Sequence, residues 1–147
     1  MKRVVSEQRL AYVATVCPDG TPNLSPKGTI RVWDDDHLVF ADICSPGTLQ
    51  NLQQNPAIEI NVVDAFARRG YRFKGQASVV TQGPVYEGAM RMYGNGEQGT
   101  QHGIANLIRA IVLVAVEQAQ AVISPGYTPG VTEAQMQEQW RGYYNSL

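Results

Sequence analysis

The chain has 147 residues, 44% of them hydrophobic and 17% charged, which suits one domain with a sizeable core and argues against disorder. Its formal net charge of -1 supplies no global field to gather nucleic acid or an anionic membrane, so any anion site has to be local. Residues 111–116, the most apolar run, are too few to cross a bilayer, and Ser6, Glu7, Gln8 and Arg9 interrupt any signal-peptide core. The N-terminal segment is therefore expected to belong to a soluble cytoplasmic protein, with Cys17 and Cys44 as free thiols because neither stands in CxxC spacing.

In chain order, residues 4–9 are expected as a short helix and residues 10–17 as a strand ending at Pro18-Asp19-Gly20, a strong turn sequence. Residues 23–33 alternate. Leu24, Gly28, Ile30 and Val32 fall on one face, expected as core, and Asn23, Ser25, Lys27, Thr29 and Arg31 fall on a face made of donors. Asp34-Asp35-Asp36 makes the next turn, residues 37–43 a third strand, and residues 48–54 a helical segment stopped at Asn55-Pro56. Strands are expected at 57–63 and 71–80, and a helix with proline at its start at 84–93. Residues 106–123, apolar on both faces at their centre, read as a strand buried on both sides. Thr132 and Gln135 stand in capping-box spacing before a last segment reaching Tyr144. Six or so short strands with turns between them suggest a barrel rather than alternating β-α units.

The donor face carries the most chemical information. Pro26 cannot donate to a β-ladder, which implies an edge or bulge where the backbone is open to a ligand, and Gly28 allows close backbone approach. Ser25, Lys27 and Thr29 then either offer hydroxyls and an ammonium to a planar, hydrogen-bonding, anionic molecule or form a solvated outer strand face with a bend. A second candidate is the stretch from Ala41 and Asp42 through Ser45 to Thr48. A strand end, a hydroxyl-bearing turn and a helix N-terminus there read either as an N-cap and nothing more or as a phosphate pocket.

Other features carry less. The run Arg68-Arg69-Gly70-Tyr71-Arg72-Phe73-Lys74 is basic and aromatic, but alternation puts Tyr71 and Phe73 on one side and Arg72 and Lys74 on the other. That is the pattern of a half-buried strand rather than a nucleic-acid face. Residues 94–99 match GxGxxG without the preceding strand and following helix of a dinucleotide site. His37 and His102 lack metal-ligand spacing, and the three aspartates read as a solvated hairpin turn. Trp140, Tyr143 and Tyr144 suit packing either on a partner subunit or on the chain's own barrel.

Several short motifs occur together in order: Ala14-Thr15-Val16, Pro18-Asp19-Gly20-Thr21-Pro22-Asn23, Ser25-Pro26-Lys27-Gly28, Leu38-Val39-Phe40-Ala41-Asp42, Asn51-Leu52, Asn55-Pro56 and Gly70-Tyr71-Arg72-Phe73-Lys74-Gly75. In this the chain resembles the pyridoxamine 5'-phosphate oxidase-related, FMN-binding split-barrel proteins, over residues 10–80. The resemblance implies a mainly β, six-stranded Greek-key split barrel with a few short helices, a homodimer, and FMN in clefts between the subunits. It also implies that the strand of Ser25 to Thr29 runs beside the flavin ring and ribityl chain, and that Ala41 to Thr48 approaches the phosphate.

Many relatives carry a basic residue where this chain has Gly47, and often another at Leu49. Here the turn offers Ser45, Thr48 and backbone amides, so Lys27 and Lys74, with Arg72 nearby, are expected to supply the charge. The expected cofactor-binding set is Ser25, Lys27, Gly28, Thr29, Asp42, Ser45, Thr48, Asn51 and Lys74, and no side chain stands out as a catalytic acid or base. The activity implied is that of an FMN-dependent oxidoreductase acting on a small molecule, with NADH or NADPH as candidate partners. The long oxidases' C-terminal substrate motif is not found in residues 132–147. The alternative is a non-catalytic flavin-binding protein, or a split barrel binding a deazaflavin, haem or a nucleotide.

Overall fold

A computed structural model of the chain describes residues 1–94 and 104–147. Among these residues, seven strands form one antiparallel sheet. They are β1 (Ala11–Val16), β2 (Pro22–Lys27), β3 (Arg31–Val32), β4 (His37–Asp42), β5 (Ala57–Asp64), β6 (Arg69–Val80) and β7 (Ala110–Ile123), arranged in the order β2-β1-β5-β6-β7-β4-β3. The helices are α1 (Lys2–Gln8), α2 (Pro46–Gln54), α3 (Pro84–Gly94) and α4 (Glu133–Asn145). None of them is long and apolar enough to cross a membrane.

Period-two burial builds the sheet. Ala11, Val13 and Thr15 of β1 and Ile58, Ile60 and Val62 of β5 point inward, with Tyr12 exposed between them. They meet Phe40, Phe73 and Val112 in the main core, closed at one side by Val4 and Val5 of α1 and by Leu52 of α2. Each large apolar side chain so buried contributes about 1.5–3 kcal/mol. A second cluster seats Ala89 and Tyr93 of α3 on Val39, Ala41 and Ile111.

The long strand β6 supplies the curl. Its pairing with β7 slips at a bulge between Lys74 and Gly75, and a Cβ at Gly75 would run into the Ala115 carbonyl. Helix α2 lies between β4 and β5 in the chain, and β4 pairs with β7 and not with β5. The product is a curled, mainly β half-barrel.

Three expectations need correction. The first is strand number, seven and not six, because the stretch expected as one strand over residues 23–33 is cut into β2 and β3. Pro26 has no N–H to give, and at Thr29 a side chain replaces the ladder: its Oγ1 donates to Ala41 O (2.9 Å) and accepts from Ala41 N (3.0 Å). β2 and β3 are the two edges of the sheet, and only residues 28–30 separate them, so a single bent passage of chain brings both edges together.

The second correction concerns which face is buried. Leu24, expected in the core, is 66% exposed, whereas Lys27, Thr29 and Arg31 are 5–6% exposed. Ile30 is buried as expected, so alternation fails through residues 29–31, where three successive side chains are enclosed. The third concerns β7. It starts at Ala110 after a 3-10 turn (Ile104–Leu107), and only its first half is buried; residues 117–121 are exposed.

Residues 34–37 fold as the expected turn, with Asp34 Oδ1 accepting from the amides of Asp36 and His37. The Thr132–Gln135 capping box forms at the start of α4. α4 lies on the chain's own β5–β6 turn: Arg68 stacks on Trp140 (4.0 Å), Arg141 on Phe66 (4.4 Å), and Tyr144 meets Phe66 edge-on. The glycine-rich motif from Asn95 onward, and His102, lie outside the described residues.

Candidate functional site

The bend between the two sheet edges gathers most of the residues singled out in the sequence. The register Ala11↔Lys27 and Val13↔Ser25 turns Lys27 and Ser25 to the inner side of β2, facing the turn that leads from β4 into α2. There Lys27 Nζ donates to Ser25 Oγ (2.5 Å) and to Ser45 Oγ (2.7 Å). Burial lowers the Lys27 pKa from its ordinary 10.5, and the nearby Asp42 carboxylate opposes that shift. Asp42, 1% exposed, accepts from Ser45 N through Oδ1 (3.1 Å), while Oδ2 has no partner among the described residues. A buried carboxylate oxygen left this way is costly without a donor, and a ligand hydroxyl or N–H would supply one.

Ser45 is also the N-cap of α2, yet its side chain makes no capping bond. Its hydroxyl accepts from Lys27, and Pro46 at the first helical position brings no N–H. The amides of the first turn, at Gly47 and Thr48, thus lack the usual side-chain acceptor and suit an anion. A Cβ at Gly47 would meet nothing within 4 Å, so the space beside the turn is open. Gly28 is exposed and equally open; the close approach its lack of a side chain permits is not used by the chain's own atoms.

Two residues stand apart from this cluster. Asn51, 4% exposed, ties α2 to β1 by donating from Nδ2 to Thr15 Oγ1 (3.0 Å), which also accepts from Asn23 Nδ2 (3.2 Å). Lys74 lies on the outer face of β6, 3.7 Å from Glu59 Oε2, and Arg72 Nε donates to the same carboxylate (2.6 Å). The structure does not bring Lys74 to Lys27.

Sequence reasoning missed Tyr93 and underrated Thr15. Tyr93 reaches from α3 to donate its hydroxyl to Thr29 O (2.8 Å), bracing the bend, with the Arg31 guanidinium 5.8 Å from its ring. Burial pushes its phenol well above the ordinary value, opposed by Arg31. Nothing in the spacing of α3 announces that contact. Thr15 does leave a signal, since a hydroxyl at an inward position of a strand needs a partner.

The site is an enclosed polar corner beside an open helix start: one ammonium, two hydroxyls, an unpartnered carboxylate oxygen and uncapped amides. This donor and acceptor set fits a phosphorylated, hydroxyl-bearing planar cofactor such as FMN. The fold is that of a split-barrel protein. The family model for pyridoxamine 5'-phosphate oxidase matches residues 1–123, and the chain belongs to that family.

HupZ of Group A Streptococcus is similar in structure, with 34% identity, a TM-score of 0.73, and 84% of this chain and 92% of HupZ covered. An FMN-binding protein of Syntrophomonas wolfei subsp. wolfei shares the fold at 13% identity, with a TM-score of 0.68 and 84% of each chain covered. HutZ, named as the haem storage protein of Vibrio cholerae, shares it at 21% identity, with a TM-score of 0.66 and 83% and 90% covered. Among curated proteins, MJ0282 of Methanocaldococcus jannaschii is 28% identical over 79 residues, and the match spans about half (52%) of either chain.

Proposed function

We propose that this protein binds FMN at the Lys27 corner and works as an FMN-dependent oxidoreductase on a small molecule. The observation that carries the reading is the juxtaposition of Asp42 Oδ2, which lacks a partner among the described residues, with the uncapped start of α2, held in place by Lys27 through Ser25 and Ser45. Ser45, Thr48 and the α2 amides would take the phosphate, and Asp42 a ribityl hydroxyl. Ser25, Lys27, Gly28 and Thr29 would line the flavin, with Asn51 holding α2 in register. Bound FMN would supply hydride or single-electron transfer. The chain's own residues bind, orient and exclude water, and no side chain is assigned as acid or base.

A homodimer belongs to this reading. Leu24 and Tyr12, 66% and 47% exposed, share the outer face of β2 and β1 with a groove bordered by Asn61 and Arg72. An apolar patch rimmed by polar groups suits an isologous contact with a second copy. Lys74 would then reach a cofactor only across that interface.

The test is the absorbance spectrum of freshly purified protein, followed by addition of NADH or NADPH. Flavin bands that bleach on addition support an oxidoreductase. A colourless protein whose melting temperature ignores added FMN overturns the flavin reading. One observation favours a second reading, a split barrel holding another anionic planar ligand such as a deazaflavin or haem: the turn at residues 43–49 carries no cation. A Soret band in place of flavin bands would select haem.

A further inference from the structure

The Lys27 charge does not serve an incoming phosphate well. The ammonium is buried, donates to two serine hydroxyls, and lies near Asp42, whose carboxylate offsets it. Lys74, the other expected source, is spent on Glu59 together with Arg72. A phosphate at the start of α2 therefore still lacks a positive counter-charge. Of the chain's 12 lysines and arginines, only Arg91 and Arg109 have no side-chain ion pair, hydrogen bond or ring contact among the described residues. Arg91 lies on α3. Arg109 is exposed and sits immediately before β7, where its backbone N–H donates to Asp42 O (2.9 Å). That bond anchors it at the strand end from which the chain turns into Ser45 and α2.

We propose that Arg109 is the phosphate-recognition residue of this protein, taking over the role of the cation that the turn itself lacks at Gly47. The inference rests on the FMN reading and deepens it. A guanidinium on a strand end is held by its backbone and needs only to extend its side chain, and its planar fork matches phosphate oxygens in a bidentate manner. Asp42 Oδ2, without a partner among the described residues, lies at the same strand end and would accept from a ligand hydroxyl or N–H beyond the phosphate.

The experiment titrates FMN and riboflavin, which differ only in the phosphate, into wild type and into Arg109→Ala, Arg109→Lys and Arg91→Ala. Wild type should prefer FMN. Arg109→Ala should reduce that preference by on the order of ten-fold or more with riboflavin affinity unchanged, and Arg109→Lys by less. Arg91→Ala should change neither ligand. Adding Gly47→Arg to Arg109→Ala should restore the preference, since the Gly47 position is open. If Arg109→Ala keeps the full FMN preference, or if wild type shows none, the inference falls while the flavin reading stands. If wild type binds neither flavin, both fall together.

Discussion

Lys27 and Lys74 are each followed by glycine, and each lies on a strand whose alternation marks it as a polar-face residue. The barrel treats them oppositely. Lys27 is 5% exposed, with two serine acceptors and a buried carboxylate nearby, while the Lys74 side chain is 54% exposed beside a carboxylate it shares with Arg72. Lys74 sits in the interior of β6, paired with β5 on one side and β7 on the other, where the outer face stays outside. Lys27 ends an edge strand that then bends across to the other edge, so its polar face becomes the lining of the closure. A polar face on a strand is therefore a surface or a site depending on whether the strand continues straight or closes the sheet.

Substitutions break or sharpen that contrast. The largest effect should come from Gly75→Ala at the bulge next to Lys74. The new Cβ would collide with the backbone carbonyl of Ala115, and a loss of more than about 4 kcal/mol, seen as a failure to give a cooperative melt, is expected.

Lys27→Met should cost about 3 kcal/mol in urea unfolding, because Asp42 stays buried without the nearby cation and the two half-buried serines lose its hydrogen bonds. The sign of its pH dependence follows from burial. With the folded pKa below the unfolded 10.5, the unfolded state binds the proton more tightly, so wild-type stability relative to Lys27→Met should rise as pH climbs towards 10.5. A flat difference across that range would mean that the ammonium is better hydrated than its burial implies.

Tyr93→Phe removes the hydrogen bond that braces Thr29 and should cost about 1–2 kcal/mol by the same measurement. Lys74→Ala should fall within about 0.5 kcal/mol of wild type, as exposed ion pairs do. A loss as large as that of Lys27→Met would erase the distinction between the two lysines.

Much of the fold was legible because its signals are local. The turns at residues 18–20 and 34–36, the capping box at Thr132 and the strand alternation of β1, β5 and β6 each depend on neighbours within a few residues. The candidate site was legible in part. Ser25, Lys27, Asp42 and Ser45 do come together, as their residue types suggested. Lys74 does not join them, because no spacing rule says how far apart two strands of a curled sheet will stand.

Residue order and chemistry alone established the mainly β class, the approximate places of the helices, the family resemblance and the polarity of the 23–31 stretch. Which of its two faces would be buried was beyond them. Alternation gives a strand two sides, and only sheet closure decides which side is inner. Closure also cut the expected single strand into β2 and β3, brought Tyr93 onto Thr29, and left Arg109 at the strand end beside Asp42. Those contacts join residues 64 and 67 positions apart in the chain, a separation over which local propensity carries no information and tertiary packing carries all of it.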